Sequence, residues 1–200
     1  MKLIAHRRNT IEELCATPAR YGVEIDLRSL GTDLIVQHDP YVSGEDFERW
    51  LDHYKHGTLI LNVKEEGLEE RLIALMAQRG ISDYFFLDQS FPFLIRWANR
   101  GERRCAARVS EYESIETALT LAGRIDWIWV DCFTRFPLDL QAANRLKQAG
   151  FRLCLVSPEL QGRSAQEHIP QLAEQLLELG IQPDAVCTKR PDIWEAQQGS

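Results

Sequence analysis

Two carboxylates on one face of a short alternating segment are the first feature of this sequence that could do chemistry. Polar and apolar residues alternate strictly over residues 23–28, which read VEIDLR. An extended strand places every second side chain on the same face, so Glu24 and Asp26 are expected to point to one place. Such a pair suits a hard cation, Mg²⁺ or Ca²⁺, which prefers oxygen ligands, and zinc fits poorly. An ion pair with Arg28 on an exposed face is the alternative.

Two histidines next to charged residues could supply proton transfer near this pair. His6 precedes Arg7, and His38 precedes Asp39. Imidazole is the side chain best suited to move protons near neutral pH, and two of them can divide the acid and base roles. The alternative for each is a hydrogen-bonded histidine in the protein core.

The elements that must position these residues are short β-rich runs that alternate with amphipathic segments along the whole chain. The predicted strands are residues 2–6, 22–28, 58–64, 83–88, 104–109, 126–132, 151–156 and 184–188. The predicted helices are residues 10–20, 44–54, 67–78, 92–99, 114–122, 138–148 and 164–179. This alternation predicts a parallel sheet with helices packed outside it.

Eight such units predict an α/β protein that is a compact (β/α)8 TIM barrel. The alternative, an open doubly wound sheet that binds a dinucleotide, would need a glycine-rich turn after the first strand, and residues 6–9 read HRRN there. We predict one domain over residues 1–194 without an inserted domain, and a C-terminal tail over residues 195–200. Barrel chemistry lies at the C-terminal ends of the strands. Further polar residues lie at the ends of predicted strands or just after them, namely Asn62, Lys64, Arg108 and Lys189.

Composition narrows the class of protein. The 200 residues are 44% hydrophobic and 26% charged, as in an ordinary globular domain, and the net charge is −7. No basic stripe is present, so nucleic-acid binding is not expected. The five cysteines are far apart and four of them lie in apolar runs, which favours reduced, buried thiols and a cytoplasmic location. No apolar run approaches the roughly 20 residues of a membrane-spanning helix, and the first residues are not expected to be a secretory leader, because they lack its apolar core and cleavage site.

Four short motifs occur in the N-terminal third in a fixed order. They are His6-Arg7, Glu24-Ile25-Asp26, His38-Asp39 and Asn62-Val63-Lys64. In this order they resemble the glycerophosphodiester phosphodiesterases, within the barrel superfamily that includes the phosphatidylinositol-specific phospholipases C. That family has His-Arg-Gly, Glu-x-Asp, His-Asp and Glu-x-Lys. This sequence departs from the pattern at Arg8, at Asn62 and at Lys189, which replaces an acidic residue near the end.

The resemblance implies metal-dependent hydrolysis of a small phosphodiester, such as a glycerophosphodiester, in a (β/α)8 barrel. It implies a divalent cation, Mg²⁺ or Ca²⁺, on Glu24, Asp26 and Asn62, with His6 and His38 as general acid and base. A hydroxyl of the substrate would attack phosphorus, and water would then open the cyclic phosphate. Residues expected to bind the anionic substrate are Arg7, Lys64, Arg108 and Lys189. Two alternatives are a catalytically altered barrel that binds an anionic ligand and a Schiff-base lyase or aldolase that uses Lys64 or Lys189.

Overall fold

The computed structural model describes residues 1–198 and has a mixed α/β fold built on one curled sheet. Its strands are β1 Lys2–Ala5, β2 Gly22–Leu30, β3 Asp33–Val36, β4 Glu45–Asp46, β5 Leu59–Val63, β6 Tyr84–Leu87, β7 Ala106–Val109, β8 Trp127–Val130, β9 Arg152–Val156 and β10 Ala185–Thr188. Its helices are α1 Ile11–Ala16, α2 Phe47–Leu51, α3 Glu69–Gln78, α4 Phe91–Asn99, α5 Ile115–Leu119, α6 Leu140–Gln148, α7 Ala165–Leu179 and α8 Pro191–Gln198, with a 3₁₀ turn at Pro158–Gln161.

Parallel pairing joins the eight strands that the sequence predicts. β1 pairs with β2 and β10, β2 with β5, β5 with β6, and β7 to β10 pair in sequence. Between β6 and β7 the structure has a single parallel bridge, Phe86 with Cys105. β3 and β4 extend β2 as an antiparallel flap. The predicted β-α alternation around a parallel sheet is therefore confirmed.

Each strand divides its side chains between two apolar layers. Val23, Ile25 and Leu27 belong to the larger layer, between sheet and helices. The inner layer holds Phe85 and Trp127, whose rings stack with centroids 4.5 Å apart. Polar residues lie two positions beyond inner-layer residues on five strands, in the pairs Ile4 and His6, Ile60 and Asn62, Ala106 and Arg108, Trp129 and Asp131, and Cys187 and Lys189. The period of two thus carries these polar residues to one end of the inner face.

The predicted helix over residues 44–54 is wrong at its start. Glu45 and Asp46 form β4 and pair with β3, and helix α2 begins only at Phe47. The Asp46 side chain accepts a hydrogen bond of 2.8 Å from Arg49 N, and this N-cap sets the start of the helix. Gly44 allows the close approach of this segment to β3, because a Cβ there would lie 2.3 Å from Val36 O.

The predicted tail boundary at residue 194 does not coincide with the end of a structural element. Helix α8 runs through residues 195–198 of that tail, while residues 199 and 200 lie outside the described part. Trp194 is buried and its Nε1 donates to Ser157 Oγ over 2.8 Å, and Glu195 pairs with Arg20 at 2.9 Å. These contacts hold α8 on the strands.

Four of the five cysteines are buried, as predicted, at positions 105, 132, 154 and 187, while Cys15 is exposed. Among residues 1–198, no helix is both long and apolar enough to cross a bilayer.

Candidate active site

The centre of the polar end is Glu24, a fully buried carboxylate on β2. Its Oε2 accepts a hydrogen bond of 2.7 Å from Arg7 N, and its Oε1 accepts one of 2.9 Å from Asn62 Nδ2. Burial and the neighbouring Asp26 raise the pKa of Glu24 above its usual value near 4.5. Glu24 is thus solvated by neutral N–H donors inside the protein.

Asp26 is buried beside Glu24 and has much stronger partners. Lys64 Nζ lies 3.1 Å from its Oδ1, and Arg7 Nε lies 3.1 Å from its Oδ2. Asn9 Nδ2 donates to Oδ2 over 2.9 Å, and Asn9 Oδ1 accepts from Asp26 N over 3.0 Å. Two cations and an amide therefore neutralise this carboxylate. Sequence reasoning gave Asn9 no role; its place in the loop after His6 was the available signal.

His6 follows β1 and lies against this pair. Its Nε2 is 3.8 Å from Glu24 Oε2, and its Nδ1 is buried without a hydrogen-bond partner among the described residues. Burial, followed by the charge of Arg7, lowers the pKa of His6 to about 3, and Asp26 opposes the shift. The ring is therefore neutral at pH 7.

His38 lies after β3, at the edge of the polar end. Its Nδ1 is 2.7 Å from Asp39 Oδ1, and its carbonyl accepts from Arg28 Nε over 2.9 Å. The preceding residue, Gln37, donates its N–H to Asp26 O over 2.9 Å, which anchors the segment to β2. Hydrogen bonds and ion pairs in the described structure connect His38 to Asp39 and Arg28, and none connects it directly to His6 or Glu24.

A chain of alternating charges extends from Asp26 across the strand ends. Lys64 Nζ donates to Asp88 Oδ2 over 3.3 Å, and Asp88 in turn pairs with Arg108. Arg108 also pairs with the buried Asp131. Arg108 is thus held by two carboxylates rather than left free. Asp88 and Asp131, both at strand ends, are members that the predicted set does not include.

Lys189 follows β10 next to a carboxylate from the 3₁₀ turn after β9. Its backbone N–H donates to Glu159 Oε1 over 2.8 Å, and Thr188 Oγ1 donates to the same oxygen over 2.6 Å. His6 N donates to Thr188 O over 2.8 Å, so His6 and Lys189 follow neighbouring strands, and the charge of Lys189 contributes to lowering the pKa of His6. Glu159 was also missed as a member of this group.

Two strand ends at this site have left-handed backbone conformations. Arg7 has φ 55° and Asp88 has φ 59°, values that cost energy for residues other than glycine. At Arg7 this turn aims the backbone N–H at Glu24. Such strain is concentrated at functional sites in proteins.

The oxygen donors here are of the type that a hard cation prefers, but only two of them are carboxylates, because Asn62 stands where the family pattern has a third. Asn62 pairs with Asp26 across β2 and β5, and its buried Oδ1 has no hydrogen-bond partner in the described structure. Among residues 1–198, no cluster of three or more His, Cys, Asp or Glu side chains is arranged to hold a metal ion. The oxygen donors that lie together here are thus the two carboxylates of Glu24 and Asp26 and the amide oxygen of Asn62.

Glu111 clamps the loop after β7 to the loop after β8 at this end of the sheet. Its Oε1 accepts from Thr134 N over 2.6 Å and from Arg135 N over 2.7 Å. Burial raises the pKa of Glu111, but hydrogen bonds from Thr134 and from backbone N–H groups outweigh it and lower the pKa to about 2.

We expect Glu111→Gln to lower the free energy of unfolding at pH 7 by about 1 kcal/mol, because charge-assisted hydrogen bonds of a partly exposed group are lost. The pKa of Glu111 is depressed, so its contribution is complete above about pH 4.5 and disappears as the pH falls toward 2. Urea unfolding at pH 7, 4.5 and 3 should show a difference in unfolding free energy between the variant and the wild type that becomes smaller as the pH falls. Glu70→Gln, on the exposed side of α3, is the control, and a difference independent of pH would contradict the clamp.

Comparison with known proteins shows what this fold is similar to. No family model matches the sequence, and no curated protein matches it. Solved structures do match. A glycerophosphodiester phosphodiesterase from Agrobacterium tumefaciens str.C58 has a TM-score of 0.70 at 16% identity, and the match covers 100% of both chains. A glycerophosphoryl diester phosphodiesterase from Parabacteroides distasonis ATCC 8503 has a TM-score of 0.68 at 14% identity, over 99% of this chain and 86% of that one. The resemblance stated from four N-terminal motifs thus extends, as a fold, over the whole chain.

Proposed function

We propose that this chain is a phosphodiester hydrolase of the glycerophosphodiester phosphodiesterase family. The observation that carries the proposal is the joining of His6, Glu24, Asp26, Asn62 and Lys64 into one contact network at the strand ends of this fold. The motifs are separate in sequence, and a chance match would not bring them together. Hydrolysis of a small phosphodiester, such as a glycerophosphodiester, is the corresponding reaction.

The proposed fold is a (β/α)8 barrel. Pairing from β1 through β2, β5 and β6, and from β7 through β10 back to β1, supports it, with the Phe86 to Cys105 bridge between the two runs. In such a barrel the polar residues above face one mouth.

A divalent cation, Mg²⁺ or Ca²⁺, would be held by Glu24, Asp26 and Asn62. The unpartnered, buried Oδ1 of Asn62 next to two carboxylates supports this ligand set. Bound there, the cation would supply positive charge to a phosphodiester oxygen. With only two carboxylates, and with Asp26 already paired to Lys64 and Arg7, its affinity is expected to be weak.

The two histidines divide the proton transfers in this proposal. His6, beside Glu24, accepts the proton of the attacking hydroxyl of the substrate. Asp39 accepts from His38 Nδ1 and orients the ring, so that the protonated imidazole presents its Nε2–H to the departing alcohol and becomes neutral when it gives up that proton. When water opens the cyclic phosphate, the two roles reverse.

Arg7, Lys64 and Lys189 are the side chains proposed to bind the anionic phosphate. Each lies at a strand end, next to His6 or Asp26. Arg108 stays a prediction in the same role; like Lys64 it is engaged by two carboxylates, Asp88 and Asp131, which a phosphate would have to compete with. The proposed partner is a small-molecule substrate, and cytoplasmic location stays a prediction.

Two alternatives to hydrolysis were considered from the sequence, and the structure bears on them differently. A Schiff-base mechanism needs a free amine aimed at a carbonyl, whereas Lys64 Nζ is engaged by Asp26 and Asp88, and that mechanism leaves both histidines without a task. A barrel that binds an anionic ligand without hydrolysis is favoured by Asn62 in place of a carboxylate.

Activity separates hydrolysis from binding. We expect hydrolysis of at least one glycerophospho-alcohol in Mg²⁺ or Ca²⁺, and loss of that activity in a chelator. Ligand binding without turnover on every ester and ion would favour the binding barrel, and borohydride trapping of a substrate adduct would favour the lyase.

Restoring a third carboxylate should strengthen the cation site. We expect Asn62→Glu to raise the affinity for Mg²⁺ or Ca²⁺ roughly tenfold or more, because it adds one negative charge next to Glu24 and Asp26. Isothermal titration calorimetry measures the affinity directly. Gln89→Glu, which adds the same charge beyond Lys64, is the control; an equal gain in both variants would contradict a specific site at Asn62.

A further inference from the structure

A large cleft opens between β6 and β7, beside the candidate active site. Its volume is about 590 Å³, within the range of about 300 to 1,000 Å³ typical of small-molecule sites. One wall contains Leu87, Phe91 and Leu94, and the other contains Ala107, Tyr112 and Ala118. The cleft is a separate space from the Glu24 and Asp26 cluster, and nothing in the proposed hydrolysis uses it.

The cleft exists because the sheet separates between these two strands. β6 and β7 share one bridge at Phe86 and Cys105, and toward the strand ends Leu87 pairs only with β5 while Ala107 pairs only with β8. The alanines on the β7 side leave space that larger side chains would fill. Since protein interiors are normally close-packed, an opening of this size beside a polar site indicates a place for a ligand.

The cleft borders the active site, because Asp88 and Arg108 belong both to the cleft lining and to the chain of charges that begins at Asp26. Asp88 lines the cleft and also accepts a hydrogen bond from Lys64 Nζ at 3.3 Å, and Lys64 lies 3.1 Å from Asp26. A molecule that extends from a phosphate near Lys64 toward the cleft would pass Asp88 and its partner Arg108.

The side chains of the cleft indicate what kind of group it takes. Phe91 and Tyr112 are 49% and 78% exposed, which leaves two aromatic faces open to a ligand. The charged residues of the lining are Asp88 and Glu113 against Arg108, so the cleft has a net charge of −1 and disfavours a second phosphate. An uncharged group with an apolar or aromatic body fits these walls.

We propose that this β6–β7 cleft binds the alcohol part of the substrate, and that this alcohol is uncharged, apolar or aromatic in its body, and larger than glycerol. The inference rests on the proposed phosphodiesterase function, because that function places the phosphate beside Lys64. Binding of the free alcohol can nevertheless be measured without any catalysis.

The test compares two glycerophosphodiesters, one of ethanol and one of 4-phenylbutanol. We expect kcat/KM of the wild type to be at least about tenfold higher for the phenylbutyl ester, because only this ester buries apolar surface in the cleft. Thr117→Phe, an exposed position on the cleft wall, should reduce this ratio to about 1. Thr120→Phe, also exposed but outside the cleft lining, is the matched control and should keep the ratio.

A second measurement reports binding alone. With ¹³C-labelled alanine methyl groups, 4-phenylbutanol should shift the signals of Ala107 and Ala118 in the wild type, and not in Thr117→Phe. Should Thr117→Phe fail to fold, Tyr112→Ala, which removes one aromatic face, serves in both measurements.

The outcomes separate the two proposals. Shifted alanine signals with no hydrolysis of these two esters or of any other glycerophospho-alcohol would support the cleft and refute the hydrolase. Both esters hydrolysed with equal kcat/KM, and no shift of Ala107 or Ala118, would overturn the cleft proposal and leave the hydrolase standing. If no glycerophospho-alcohol is hydrolysed and no shift occurs, both are overturned.

Discussion

Replacing His6 or His38 by Ala is expected to reduce turnover of the best phosphodiester by roughly 10²- to 10⁴-fold, the range typical of a lost general acid or base. The affinity for the substrate in its ground state should change little, because the proposal assigns phosphate binding to Arg7, Lys64 and Lys189 and not to the two imidazole rings. Steady-state kinetics on purified variants measure kcat and KM separately, and the wild-type rate should have a bell-shaped dependence on pH.

The turnover of the double variant His6→Ala and His38→Ala tests the pair more sharply than either single variant. The double variant should lose far less than the product of the two single losses, since residues that act as one catalytic unit are not additive. His53→Ala is the control, because His53 is exposed and its recorded side-chain contact is with Cys15. Asp39→Asn should lower kcat with little effect on KM if Asp39 orients His38. Full turnover in both His6→Ala and His38→Ala would make anion binding the favoured function.

Asp26→Asn is expected to lower the free energy of unfolding by about 3 kcal/mol at pH 7 without divalent cations, the scale for breaking a buried ion pair. The change removes the charge that neutralises Lys64 and Arg7, both 3.1 Å away. Two adjacent carboxylates would by themselves repel, so that removing either should stabilise the protein, but the contacts of Asp26 reverse that expectation for this residue. Urea unfolding in a chelator measures the change.

Glu24→Gln is the matched comparison and should cost little or stabilise the protein. Glu24 has only neutral hydrogen-bond donors, and the Asn62 amide can turn so that its unpartnered Oδ1 accepts from the new amide. The pKa of Glu24 is raised, so its effect on stability is most favourable below about pH 4.5 and is lost as the pH rises through the folded-state pKa. The stability of Glu24→Gln relative to wild type should therefore increase with pH. An equal loss in both variants would contradict the distinction between the two carboxylates.

Much of the fold could be predicted from the sequence because its information is local. The period of two in residues 23–28 assigns Glu24 and Asp26 to the face opposite Ile25, and the structure has them buried there beside Asn62. The eight parallel strands follow from repeated apolar runs for the same reason. The motif order was also visible in the sequence, because Glu24-Ile25-Asp26 lies within β2 and each of the other three motifs lies at or just after the end of a strand.

Tertiary structure alone decided which charges meet. Asp88 and Arg108 are twenty residues apart and Arg108 and Asp131 twenty-three, and nothing in their own segments indicates these ion pairs. Periodicity assigns a side chain to a face, but the distance to a partner depends on strand register and on neighbouring loops. The single bridge between β6 and β7 was likewise not predictable from the sequence, because it depends on how the two strands separate in space rather than on the composition of either strand. The sequence by itself therefore determined the strands and the candidate residues, while packing in three dimensions decided their partners and opened the cleft beside them.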